Sequence, residues 1–211
     1  TTGLKTQESY AYLKYDIRAN KRNYLLLAIP TMYAIANTGV REHVGETYDR
    51  VIMKRPGDMR LTQMLERNTI PYGMRTMPTV LKYLTPLIYD ELLIDGRIIS
   101  PFHLRNRRFY RYKVSPFMRG AVIVSFRPRL KNTKLVRGWA RIEESTGRIL
   151  ETSFDGEYDL VRFHVTMTTG DEGVKTLMPA QCNLNARFLF LGNDITAEYT
   201  TVFDLPKRLP D

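Results

Sequence analysis

The sequence predicts a mainly β protein of the α+β kind: a single strongly curved antiparallel sheet or half-barrel, with a few short helices on its concave side. Three observations predict it. Apolar and polar residues alternate with a period of two in several stretches, as in residues 10–18 (YAYLKYDIR) and 109–114 (FYRYKV). Turn signals separate such runs at short intervals: Arg55-Pro56-Gly57-Asp58, Asp95-Gly96, Glu144-Ser145-Thr146-Gly147, and Gly192-Asn193. Helix signals are confined mainly to one proline-led segment near residue 78. About ten to twelve short antiparallel strands follow.

With 211 residues and 43% hydrophobic content, the chain has enough apolar material for one core. We therefore expect one domain over residues 1–211, with a polar, flexible lead-in at 1–9 and the curved β unit at 10–205. The chain opens Thr1-Thr2-Gly3 without a methionine, so targeting information is expected to have preceded it.

In residues 10–18, Tyr10, Tyr12, Lys14 and Asp16 share one face and Ala11, Leu13, Tyr15 and Ile17 the other, the pattern of a half-buried strand, expected at an edge. Residues 24–36 are apolar and end Ala34-Ile35-Ala36, imitating a signal peptide. However, Pro30 interrupts the run, a polar strand lies upstream, and about 13 residues are too few to span a bilayer. A buried strand, bent or ended at Pro30, with a short helical or irregular piece after it, is expected.

Residues 42–54 form a longer strand with Gly45 as a possible bulge. Residues 59–70 fit helix or strand equally. From Pro78 a short helix runs to about residue 89, its side chains Val80, Leu81, Leu84, Leu87 and Ile88 packing on the sheet. Residues 91–100 (ELLI, Asp95-Gly96, RIIS) spell a two-residue hairpin. Strands at 110–114, 121–126, 136–144 and 149–154 then make an antiparallel meander, followed by 157–168, 174–179, 183–191 and 195–203.

That meander is strongly basic. Residues 97–141 hold thirteen Lys or Arg and no Asp or Glu, against a whole-chain charge of +10. The basicity is local and implies an anionic partner: nucleic acid, lipid headgroups or an acidic protein. The one cysteine, Cys182, excludes an intrachain disulfide and a Cys-based zinc site, and sits among apolar runs as a small buried hydrophobe would.

Enzymatic signatures do not assemble. There is no G-x-S-x-G elbow, no P-loop and no dinucleotide fingerprint, and His43, His103 and His164 lack metal-ligand spacing. His164 is nonetheless placed to meet a carboxylate across a strand. Asp155, Glu157 and Asp159 share one strand face, as a solvated edge or as counter-charges to nearby arginines, rather than as opposed carboxyls across a cleft. A non-enzymatic module without metal or cofactor is predicted.

Arg137, Trp139 and Arg141 fall on one face of a strand, with Val136, Gly138, Ala140 and Ile142 on the other, so guanidinium groups can flank the indole. The plain reading is a solvated arginine ladder; the functional one is an anion or headgroup site. Phe109-Tyr110-Arg111-Tyr112-Lys113 also resembles the aromatic and basic interleaving of single-stranded nucleic-acid binders. No recognised nucleic-acid motif accompanies it, which leaves nucleic acid the least favoured partner.

The stretches IPTMYAIA, GETYDR (45–50), TIPYGMRTMP (69–78), YLTPLIYDELL, ISPFHLRNRRFYRYKV and SFRPRLKNTKLVRGWARIEESTGRILETSFDGEYDLVRF resemble the soluble segment of an uncharacterised family of Gram-negative outer-membrane proteins. In that family a carboxypeptidase-regulatory-like β domain precedes the segment and an outer-membrane β-barrel follows it. The element order is also similar to the LolA-like lipoprotein-carrier fold, a half-open sheet with helices across its concave side.

The resemblance implies a periplasmic or outer-membrane-associated envelope module. A curved sheet exposes an apolar concave face, and nine Met and thirteen Tyr suit an adaptable lining that either closes on itself or admits an acyl chain, so binding of a lipid, a lipoprotein-like amphiphile or anionic headgroups is expected. The expected contacts are Arg107, Arg108, Arg111, Arg137 and Arg141, with Trp139 supplying aromatic contact. The alternative is a structural adaptor that docks on an outer-membrane barrel or envelope partner without a ligand.

Overall fold

The period-two alternation carries directly into backbone structure. The computed structural model describes residues 7–20, 42–55, 58–68, 91–93, 98–118, 120–158, 161–168, 181–190 and 193–203. Among them lie strands β1 (Gln7–Ala19), β2 (Glu42–Arg55), β3 (Asp58–Asn68), β4 (Leu92–Leu93) and β5 (Ile98–Ile99). A 3-10 helix (Leu104–Phe109) leads into β6 (Tyr110–Pro116), β7 (Ala121–Pro128), β8 (Arg137–Glu143), β9 (Ile149–Tyr158), β10 (Val161–Thr168), β11 (Gln181–Phe190) and β12 (Asn193–Phe203).

Ten strands form one antiparallel sheet in the order β3-β2-β1-β12-β11-β10-β9-β8-β7-β6, and β4 pairs with β5 alone. Sheet neighbours are chain neighbours everywhere but at one place. There the first and last strands pair, from Ala11↔Phe203 to Ala19↔Ile195. The meander is thus sealed at its terminal strands and open in mid-sequence, with β3 and β6 as its edges. The mainly β, unclosed antiparallel sheet is the predicted fold class.

Several sequence expectations are corrected. β1 is not an edge strand: β2 and β12 flank it on both sides, which is why both of its ladders are used. It also starts at Gln7, inside the stretch expected to be lead-in. Gly45 is not a bulge, because its pairing to Tyr15 and Asn68 is regular. It makes room for a ring: a Cβ at Gly45 would overlap the Tyr15 side chain. The register shifts in β2 fall instead at Tyr48/Asp49 and Met53/Arg55.

Residues 157–168 are not one strand, since β9 extends to Tyr158 and reverses into β10 with Tyr158 opposite Val161. Residues 59–70, open between helix and strand, contribute to β3. The expected hairpin at 91–100 is present, with Leu93 opposite Ile98, a register that suits a two-residue turn. The expected elements at 24–36, 78–89 and 174–179 lie outside the described residues.

One face of the sheet is apolar. Leu13, Tyr15, Ile17, Phe126, Ala140, Phe154, Phe163, Val165, Met167, Leu184 and Ile195 are buried there in one cluster, and Cys182 joins them as a buried thiol outside any disulfide. Each large apolar side chain taken from water contributes about 1.5–3 kcal/mol. Leu93 and Ile98 of the small hairpin belong to the same cluster, with Phe102 and Phe109 packed against it, so residues 91–93 and 98–109 cover the β6–β9 part of this face.

Tyr110 ties the cover to the sheet. Fully buried, its hydroxyl donates to the Ile99 carbonyl (2.5 Å) and accepts the Val136 N–H (3.3 Å). Burial is the main cause that pushes this phenol well above the usual range.

Candidate functional site

Along β6, β7 and β8 the polar face is cationic because alternation sends Arg111, Lys113, Arg127, Arg137, Trp139 and Arg141 to the side opposite the core. Arg111 lies directly opposite Arg127 across the β6–β7 ladder. Arg127 and Arg137 lie one residue beyond the last pair of the next ladder, Phe126 and Gly138. Like charges placed opposite one another destabilise a sheet. Arg107 and Arg108, both exposed, occupy the last turn of the 3-10 helix at the same end. Among the described residues, none of Arg107, Arg108, Arg111, Arg127 and Arg137 forms an ion pair; Arg108 lies over the Phe109 ring, 4.8 Å from its centroid.

This end is rigidly built. The Arg129 N–H donates to the Phe109 carbonyl (2.9 Å), and its guanidinium Nε donates to the Tyr110 carbonyl (2.8 Å). The buried Asn106 side chain donates to the carbonyls of Glu91 (2.7 Å) and Ser100 (3.0 Å), fixing the 3-10 helix. Asn132 Oδ1 accepts the Lys134 N–H (2.8 Å), and the Lys134 carbonyl accepts the Ile99 N–H (2.8 Å), which braces the β7–β8 loop.

From β9 onward the same face is charge-compensated. Arg141 sits 3.4 Å from Glu151, Arg162 3.7 Å from Glu157, and Arg187 2.5 Å from Asp194. The last pair raises the Arg187 pKa and lowers that of Asp194, chiefly through the side-chain hydrogen bond. Between the β7–β8 loop and this ladder runs an open cleft of about 840 Å³ bordered by Lys131, Arg137, Asp155, His164, Arg187 and Glu198.

His164 meets a carboxylate across the strand, as its position in the sequence suggested: Nδ1 lies 2.8 Å from Asp155 Oδ1. Its Nε2 lies 3.4 Å from Ser153 Oγ. The order is that of a serine nucleophile's relay. Yet β9 is paired on both sides, so its ladder amides are already engaged, whereas an acyl-transfer site needs donors aimed at a developing oxyanion. Among the described residues no group of three or more His, Cys, Asp or Glu is placed to hold a metal ion.

The six expected contacts therefore divide. Arg107, Arg108 and Arg111 gather at the β6 end, and Arg137 adjoins them. Arg141 is drawn to Glu151 and lies over Phe117, 6.0 Å from the ring centroid. Trp139 stands between Ser125 and Ser153 in the strand register, half-buried. Sequence reasoning missed Arg127. The signal was available, because a short reversal of four residues (117–120) between β6 and β7 places Arg127 opposite Arg111.

Residues 9–205 match a family of unknown function, DUF5686. No curated protein matches the chain. Among solved structures, a LolA superfamily protein from Nitrosomonas europaea is similar at 10% identity and a TM-score of 0.27, over 96% of this chain and 88% of that one. A likeness at that score carries no argument about ligand or role.

Proposed function

The chain belongs to the DUF5686 family, a family of unknown function, and from that premise we propose a non-enzymatic cell-envelope module that binds the anionic headgroups of a lipid or lipoprotein-like amphiphile. The site is the cationic end formed by Arg107, Arg108, Arg111, Arg127 and Arg137, and the envelope setting rests on the sequence resemblance. One observation carries the reading. Arg111 and Arg127 oppose each other across an edge ladder with no ion pair among the described residues, an arrangement that a bound anion relieves. Guanidinium groups suit phosphate because they present paired donors.

Co-sedimentation with phosphatidylglycerol-containing vesicles, against phosphatidylcholine vesicles, tests the proposal. Binding should be confined to the anionic vesicles and weaken as salt rises. Equal binding to both, or to neither, overturns it.

The second reading is an adaptor docked on an outer-membrane barrel or envelope partner without a ligand. β6 favours it: Arg111, Tyr112, Lys113 and Val114 are all exposed on an edge strand, and an open edge can accept a further strand. Native mass spectrometry separates the two, since a co-purifying lipid is expected only from the first.

A further inference from the structure

Most large apolar side chains here are buried, but Leu104 is 77% exposed and Leu130 is 75% exposed. They occupy different segments, the 3-10 helix and the β7–β8 loop, that leave the sheet at the same end, since Tyr110 pairs with Pro128 and the Arg129 N–H bonds the Phe109 carbonyl. Neither is held out by looseness. The Asn106, Arg129 and Asn132 hydrogen bonds fix both segments, so each leucine is kept in water by a braced backbone.

Cations surround both: Arg105, Arg107 and Arg108 follow Leu104, and Arg129 and Lys131 flank Leu130. The carboxylates nearby are Glu91, which pairs with Arg105 at 3.4 Å, and Asp155, Glu157 and Glu198 in the cleft that Leu130 also borders. Apolar side chains ringed by cations suit the boundary between anionic headgroups and acyl chains, where electrostatic attraction and apolar burial act together.

The opposite end of β6 supplies the contrast. Phe117 and Met118 are also exposed, at 52% and 77%. There the β8–β9 turn brings in Glu143 and Glu144, with the Glu144 N–H bonded to the Gly120 carbonyl (2.9 Å). Arg141 lies over Phe117 and Arg119 follows Met118 in the sequence, but Glu143, Glu144 and Glu151 offset these charges, so the charge at that end is mixed instead of cationic.

We infer that Leu104 and Leu130 are paired membrane anchors, inserted between headgroups at an anionic bilayer surface, so that the protein docks with the 3-10 helix and β7–β8 loop facing the lipid. The inference rests on the headgroup reading above and adds an orientation and an apolar contribution to it.

The test is partitioning onto phosphatidylglycerol-containing vesicles at near-physiological salt, for the parent, the double variant Leu104→Ala/Leu130→Ala, and Met118→Ala. Removing both leucines should weaken binding by about tenfold or more, whereas Met118→Ala should change it by less than about twofold. If the parent binds no anionic vesicles, the headgroup reading falls and takes the anchors with it. If the parent binds and the double variant matches it, or Met118→Ala loses as much, the anchors fail while the headgroup reading stands. A nitrobenzoxadiazole label on Leu130→Cys gives a readout independent of the double variant's folding; its emission should shift to the blue on vesicle binding, and the same label on Met118→Cys should not shift. No shift at position 130 in a bound protein also overturns the anchor.

Discussion

Two stretches of the same sheet face are equally rich in charge and differ in arrangement. From Arg141 on β8 to β12, cations meet carboxylates: Arg141 with Glu151, Arg162 with Glu157, and Arg187 with Asp194. At the β6 end the opposite holds, since Arg111 faces Arg127 and the 3-10 helix adds Arg107 and Arg108. Solvated pairs of the first kind contribute little to stability, because water and salt screen them. They keep the face soluble at little consequence for fold or ligand. Cations of the second kind, without a carboxylate partner among the described residues, leave their attraction available to a partner, which is why the candidate site contracts toward the edge strand.

The largest expected effect separates these regions directly. Each basic side chain close to an anionic membrane contributes about 1 kcal/mol, so Arg107→Gln/Arg108→Gln/Arg111→Gln should weaken binding to anionic vesicles by about a hundredfold at low salt. Its melting temperature should stay near the parent's. An early-melting variant would make these arginines structural, and one that binds like the parent would make them merely solvated.

A smaller effect is expected at the joint beneath the site. Tyr110→Phe leaves the buried Ile99 carbonyl and Val136 N–H without their hydroxyl partner, at a cost of about 1–3 kcal/mol in denaturant unfolding. The pH dependence has a definite sign. Tyr110 is raised by burial, and Tyr12 is raised to about 12, mainly by burial and then by its hydrogen bond to Glu46. The folded state holds these protons more tightly, so stability is fully present below the ordinary phenol pKa near 10 and falls as pH rises above it toward the folded values. Tyr110→Phe should flatten that alkaline decline, and an unchanged slope would count against the buried phenol.

On the compensated side the changes should be slight. Arg141→Gln should alter vesicle binding by no more than about threefold, because Glu151 already offsets that charge. A loss as large as the triple variant's would erase the distinction between the two regions. Smallest of all, a fluorophosphonate should leave Ser153 unlabelled; labelling that His164→Ala abolishes would show an activated nucleophile in the relay.

Which parts of this were legible beforehand follows from what alternation can and cannot encode. The faces of β1 and β8 were readable residue by residue, down to Val136, Gly138, Ala140 and Ile142 turning inward from Arg137, Trp139 and Arg141, because side-chain direction in a strand depends only on parity. Likewise the basic meander, the buried Cys182 and the 91–100 hairpin came from local composition and turn chemistry. Membership of sheet neighbours did not. That β1 pairs with β12 across most of the chain's length, leaving β3 and β6 as edges, depends on long-range closure that no local pattern specifies.

The same limit explains the site. Thirteen cations in 97–141 were visible in the sequence by itself. Only the tertiary structure sorted them, setting Glu151 against Arg141, Arg127 against Arg111, and Leu104 beside the same cationic end as Leu130. Those relations are fixed by register between strands, and register is decided by which faces bury together and how each reversal is closed, not by the order of residues along any one strand.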